Sequence, residues 1–188
     1  MADRKRRKRR DDDREELDER VVDIRRVAKV IKGGRRFAFR TVVVVGDNKG
    51  RIGIGVGKAR AVPDSIRKAN EKARANLVKV ALSKDNAGNV TIPYEVTGVV
   101  SGARVLLKPA APGTGVIAGG GVRAVLEAVG VRNILSKSQG SANLLNVAMA
   151  TVDALQQLNS PEELATMRGK PVSETTPVWA RRGMKGDE

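Results

Sequence analysis

Between Arg51 and Lys58 the chain reads Arg-Ile-Gly-Ile-Gly-Val-Gly-Lys, with glycine at alternate positions. Successive side chains of a strand point to opposite faces. As a strand, this segment carries Ile52, Ile54 and Val56 on one face and Arg51, Gly53, Gly55 and Gly57 on the other. A face without side chains lets another backbone or a packed helix come very close. The flanking sequence supplies such partners. Upstream, Phe37, Phe39, Thr41, Val43 and Val45 share one face of a strand by strict period two, and Gly46-Asp47-Asn48-Lys49-Gly50 is a turn. Before them Val22, Ile24, Val27, Val30 and Ile31 read as a strand of imperfect alternation, followed by the loop Lys32-Gly33-Gly34-Arg35-Arg36. Downstream, Pro63 and Asp64 suit the first turn of a helix. Ile66, Ala69, Ala73, Leu77, Val80 and Ala81 form its apolar stripe. A βββα unit is expected.

A second unit follows a linker at residues 83–89. Val90, Ile92, Tyr94 and Val96 alternate as a strand, which Pro93 places at an edge. Gly98 to Gly102 reads as a break, and Ala103 to Leu107 as a strand stopped by Pro109. The glycine-dense stretch Pro112 to Gly121 opens a helix over Val122 to Val129, and Val131 to Ser138 is a further strand. Ser141 is expected to cap a helix bearing Leu144, Leu145, Ala148, Val152, Leu155 and Leu158 on its stripe. Ser160-Pro161-Glu162-Glu163 is a capping box with proline at the first helical position. The α+β chain thus divides into a charged, disordered arm (1–20), a βββα unit (21–86), a ββαβα unit (87–168) and an extended or disordered tail (169–188).

Charge narrows the function. The chain holds 36 Lys plus Arg against 21 Asp plus Glu, for a net charge of +15. The excess is not in the tails: residues 21–80 hold sixteen basic and four acidic residues. A basic folded stretch points to a shaped surface for a polyanion, and nucleic acid comes first. There is no Cys and no His. Thiolate chemistry is thereby excluded, and the side chain most used for acid–base work near neutral pH is missing. No apolar run reaches the ~18 residues of a membrane span, and no apolar segment follows the basic start as a signal peptide requires. A soluble, cytoplasmic protein without cofactor or metal is expected.

The candidate contacts are cations. Arg25, Arg26, Lys29, Lys32, Arg35 and Arg36 surround the first loop, Lys58 and Arg60 precede the helix, and Arg67, Lys68 and Lys72 run along its flank. For any one of them a solvated surface charge is an even alternative; for the group, the scarcity of carboxylates argues against it. Gly33 and Gly34 either make a tight turn or let the backbone reach a phosphate. Phe37 and Phe39 fall on the alternating face and are expected in the core, although Phe37 abuts the loop. With no free aromatic platform, binding should rest on phosphate, sugar and groove shape, as for double-stranded RNA. The glycine-rich stretch before the second helix is the one pretext for an enzyme. It lacks the Gly-Lys-Ser/Thr of a phosphate-binding loop, and Gly53 to Lys58 lacks the dinucleotide spacing.

Lys32 to Phe37, Val44 to Gly53, Gly55 to Arg60, Gly113 to Gly120, Val129 to Asn133 and Asn159 to Glu162 stand in the order and spacing of bacterial small-subunit ribosomal protein S-five, which the chain resembles over roughly residues 21–170. The resemblance implies an N-terminal domain similar to double-stranded-RNA-binding domains and a C-terminal domain of a kind shared with other ribosomal proteins and small-molecule kinases. It implies binding to small-subunit ribosomal RNA near the neck, holding head against body, and an influence on decoding accuracy. The implied partners are ribosomal proteins S-four and S-eight and messenger RNA where it enters; no homo-oligomer is expected. Ser101, Gly102, Arg104, Arg123, Lys137, Ser138, Gly140, Ser141 and Asn143 match family positions that face RNA or neighbouring proteins; turn and cap chemistry is their plainer reading.

Overall fold

The glycine face finds its partner within the same unit. In the computed structural model, which describes residues 17–84 and 89–175, β1 (Asp18–Ile31), β2 (Gly34–Gly46) and β3 (Arg51–Ala59) form an antiparallel sheet, and α1 (Val62–Ala75) lies across it. A Cβ on Gly53, Gly55 or Gly57 would come within 2.1, 2.0 and 1.9 Å of the carbonyl oxygens of Ala73, Ala69 and Ser65. The helix answers with small residues: Ser65, Ala69 and Ala73 are its buried positions. Thr41 and Ser65 join their hydroxyls at 2.7 Å in this layer, and Val43 and Val45 pack on Ala69 and Ala73.

The helix is shorter than its stripe predicts. It ends at Ala75, and the Leu77–Ala81 stretch is not helical. Instead β4 (Val78–Lys79) pairs with Arg51 and Ile52, and the Val80 amide donates to the Gly50 carbonyl at 2.7 Å. The spacing of Val80 and Ala81 fits a helix by coincidence; tertiary pairing decides.

The other face of the sheet is covered by the second unit. Here β7 (Val96–Val100), β8 (Ala103–Pro109), β10 (Ile134–Gly140) and β9 (Val116–Ile117) form a sheet in that order, with β9 parallel to β10 and the other pairs antiparallel. Packed on it are α2 (Gly120–Val129) and α3 (Leu144–Gln156). β5 (Ser83–Lys84) pairs with β6 (Val90–Thr91), and α4 (Pro161–Arg168) and α5 (Val172–Thr175) follow at the end. One apolar core joins Val44 and Ile52 of the first unit to Val105, Leu126, Val129, Ala150 and Leu155 of the second. The β2–β3 turn completes the joint. The Asn48 and Gly50 amides donate to the carbonyls of Ala128 and Val129, at 3.1 and 3.0 Å, and so cap the end of α2.

Several boundaries differ from the sequence reading. β1 starts at Asp18, before the regular pattern at Val21, and carries an irregularity between Val21 and Asp23. Gly98 is not a break but an interior residue of β7, because a Cβ there would meet the Ala150 carbonyl oxygen at 2.0 Å. The turn lies at Ser101-Gly102. α2 starts two residues early at Gly120. β10 starts at Ile134, because the Arg132 and Asn133 amides are bound to the Val90 carbonyl. The cap of α3 is Asn143, whose Oδ1 accepts from the Leu145 amide; Ser141 instead holds the Asn143 amide. The capping box at Ser160 and Glu163 is as expected. Residues 1–16 and 176–188, most of the predicted arm and tail, lie outside the described residues; among those described, no helix is long and apolar enough to cross a membrane.

Candidate nucleic-acid interface

β1 and β2 run on past the packed layers as a hairpin. At the base, Thr41 to Val45 are fully buried; outward from Arg36 to Lys29 the residues are exposed, apart from the half-buried Ile31. The tip closes at Lys32-Gly33, with Ile31 opposite Gly34. Gly33 and Gly34 take φ of 88° and 152°, a region that L side chains rarely adopt, and a Cβ on either would meet nothing within 4 Å. The turn itself therefore accounts for both glycines, and it leaves open space beside their backbone.

The sheet sorts its charges by position. Near the base each acid has a cation. Asp18 and Glu127 both bind Arg20, Glu19 binds Arg74, and Asp47 binds Arg51. Burial works to lower the Arg20 pKa, but the hydrogen bonds to Asp18 and Glu127 outweigh it and raise the value above the ordinary one. This cation clamps β1 to α2. Outward from Asp23, which binds Arg25 at 2.8 Å, the hairpin has no carboxylate. Lys29, Lys32, Arg35, Arg36, Lys58 and Arg60 are exposed and make no ion pair among the described residues.

Phe37 departs from expectation. It is 48% exposed, with the Arg26 guanidinium stacked 3.7 Å above its ring centre. The period-two face does continue through it, but α1 does not reach that far, so the residue shares the face without sharing the core. Phe39 is half-buried. On α1, Lys68 and Lys72 are exposed and unpaired among the described residues, whereas Arg67 stands 3.8 Å from Asp64.

The second unit gathers a smaller group. Ser101 sits at the β7–β8 turn with φ of 54°. Arg104 lies opposite Gln139 and Lys137 opposite Leu106, on the sheet face turned away from the helices. Ser138, also exposed, lies opposite Val105 and so belongs to the other face of the sheet, and the Ser141 amide donates to the Gly102 carbonyl at 2.8 Å. Asn143 is committed to capping. Arg123 stands apart in the first turn of α2, where its guanidinium donates to the Val116 carbonyl at 2.9 Å. Arg40 escaped the sequence reading because it sits inside a strand; its register partners, Arg25 and Lys58, were the available signal.

Two family models match the chain. Residues 17–81 match Ribosomal protein S5, N-terminal domain, and residues 98–168 match Ribosomal protein S5, C-terminal domain. The chain belongs to the ribosomal protein S5 family. As a member it is a structural protein of the small ribosomal subunit, and its work is in translation. The N-terminal S5 match contains the whole basic hairpin and α1, while the C-terminal S5 match begins at Gly98, inside β7.

Proposed function

We propose that this S5 protein binds small-subunit ribosomal RNA without catalysis, gripping it through the basic hairpin and sheet of the N-terminal unit. The observation that carries this is the separation of charge within one sheet. The acids near its base are paired, and the hairpin beyond Asp23 is cationic, with Arg25 alone of its cations ion-paired among the described residues. A polyanion supplies the missing counter-charge. Arg25, Arg26, Lys29, Lys32, Arg35, Arg36, Lys58 and Arg60 act on phosphates, with Lys68 and Lys72 on a second flank and the Gly33-Gly34 backbone at the tip. Guanidinium forks suit phosphate oxygens. Phe37, held beneath Arg26, adds an exposed ring edge.

In this reading the βββα unit works like a double-stranded-RNA-binding domain, by shape and backbone, and the second unit has the architecture shared with small-molecule kinases but not their chemistry. The protein sits near the neck in the cytoplasmic small subunit, steadies head against body and affects decoding accuracy. The Ser101, Arg104, Lys137 and Ser138 group meets RNA or the neighbours S-four and S-eight, and the hairpin side lies toward incoming messenger RNA. Cosedimentation tests the proposal: the protein should remain with small subunits through a high-salt wash. A wholly free pool overturns it.

A further inference from the structure

The sheet sets three cations in a row. Arg25 stands opposite Arg40, and Arg40 opposite Lys58, across β1, β2 and β3. Residues in register share a face, and Thr41, the next residue along, points its hydroxyl at Ser65 of α1. The row is therefore on the face turned away from α1. With adjacent strands ~4.8 Å apart it spans about 10 Å. Lys29 and Arg36, also opposite each other, continue that face toward the hairpin tip.

Like charges directly opposite one another destabilise a sheet. Asp23 is the one carboxylate of the three strands at this level or beyond, and it is bound to Arg25. Arg40 and Lys58 have no ion pair among the described residues, and the Arg40 Nε is buried without a hydrogen-bond partner. A buried donor without an acceptor is costly, so the arrangement calls for an external anion. We propose that this row, centred on Arg40, is a phosphate track: an RNA backbone crosses the sheet face opposite α1, and Arg40 binds a phosphate between those held by Arg25 and Lys58. The inference rests on the RNA-binding reading above and adds to it a face and a residue.

The test uses the full chain and a small-subunit ribosomal RNA transcript, with affinity measured over a salt series and thermal melts as the check on folding. Arg40→Gln is expected to weaken binding about tenfold at physiological salt and to lower the log–log salt slope by about one. Arg40→Lys should keep the slope. Arg25→Gln with Lys58→Gln, both exposed, should lower it by about two, and carries the test if Arg40→Gln melts early. Unchanged slopes in these variants, with intact RNA binding by the wild type, overturn the track and leave the RNA reading standing. No RNA binding by the wild type overturns both. Row variants that bind RNA normally but fail to enter subunits would assign the face to an acidic protein, and that also overturns the track.

Discussion

The two ends of the N-terminal sheet do opposite things: three strands make the base, and β1 and β2 alone run on to the tip. At the base, Val42 to Val45 are all fully buried, between α1 on one side and the second unit on the other. Its glycines have no room: Gly55 lies against the backbone of Ala69 and Ala73. Its cations hold the protein together, as Arg20 holds β1 to α2. At the far end the layers stop. The glycines face open space, and the cations beyond Arg25 have no acid to bind among the described residues. A cation is thus an internal clamp or an external ligand according to whether a second layer with a carboxylate reaches it.

Five variants sharpen or break this contrast. Gly55→Val should have the largest effect, ~3 kcal/mol or more of lost stability in urea, because the helix must move off the sheet. Gly33→Ala should cost only about 1–2 kcal/mol, from its positive φ alone; equal losses at the two sites would erase the distinction. Replacing Arg35 and Arg36 by Ala should weaken RNA binding more than tenfold and lower the salt slope by about two, with the melting temperature unchanged. Arg20→Ala should do the reverse, leaving the slope intact and costing about 0.5–1 kcal/mol, as expected for half-exposed ion pairs. Smallest is Phe37→Leu, at ~0.5 kcal/mol through the lost contact with Arg26; a loss of several kcal/mol in the melt would return that ring to the core.

Much of this was legible in the sequence. The alternating glycines required a close neighbour, and the period from Phe37 to Val45 placed Thr41 and Val43 against it. The Ser160 capping box needed only local chemistry. What was missed depended on distant partners. Val42-Val43-Val44-Val45 is a continuous apolar run, the mark of a strand covered on both faces, yet only one face was read. Phe37 obeyed the period but lay beyond the helix that would have buried it. Gly98 looked like a break because its neighbour, the Ala150 backbone, is far away in the chain. β4 and β9, two residues each, are too short to show a pattern. Among the proposed binding residues, the loop cations stood out as a cluster, while Arg40 became visible only through strand register.

The joint at the β2–β3 turn has a consequence for biosynthesis. Asn48 and Gly50 emerge early, but the Ala128 and Val129 carbonyls that they bind are made much later. At ~5–20 residues per second, the nascent first half waits for seconds with its turn and inner sheet face uncovered. During that interval the basic hairpin is already complete, so an RNA molecule within reach could engage the chain before its own second half has arrived to finish it.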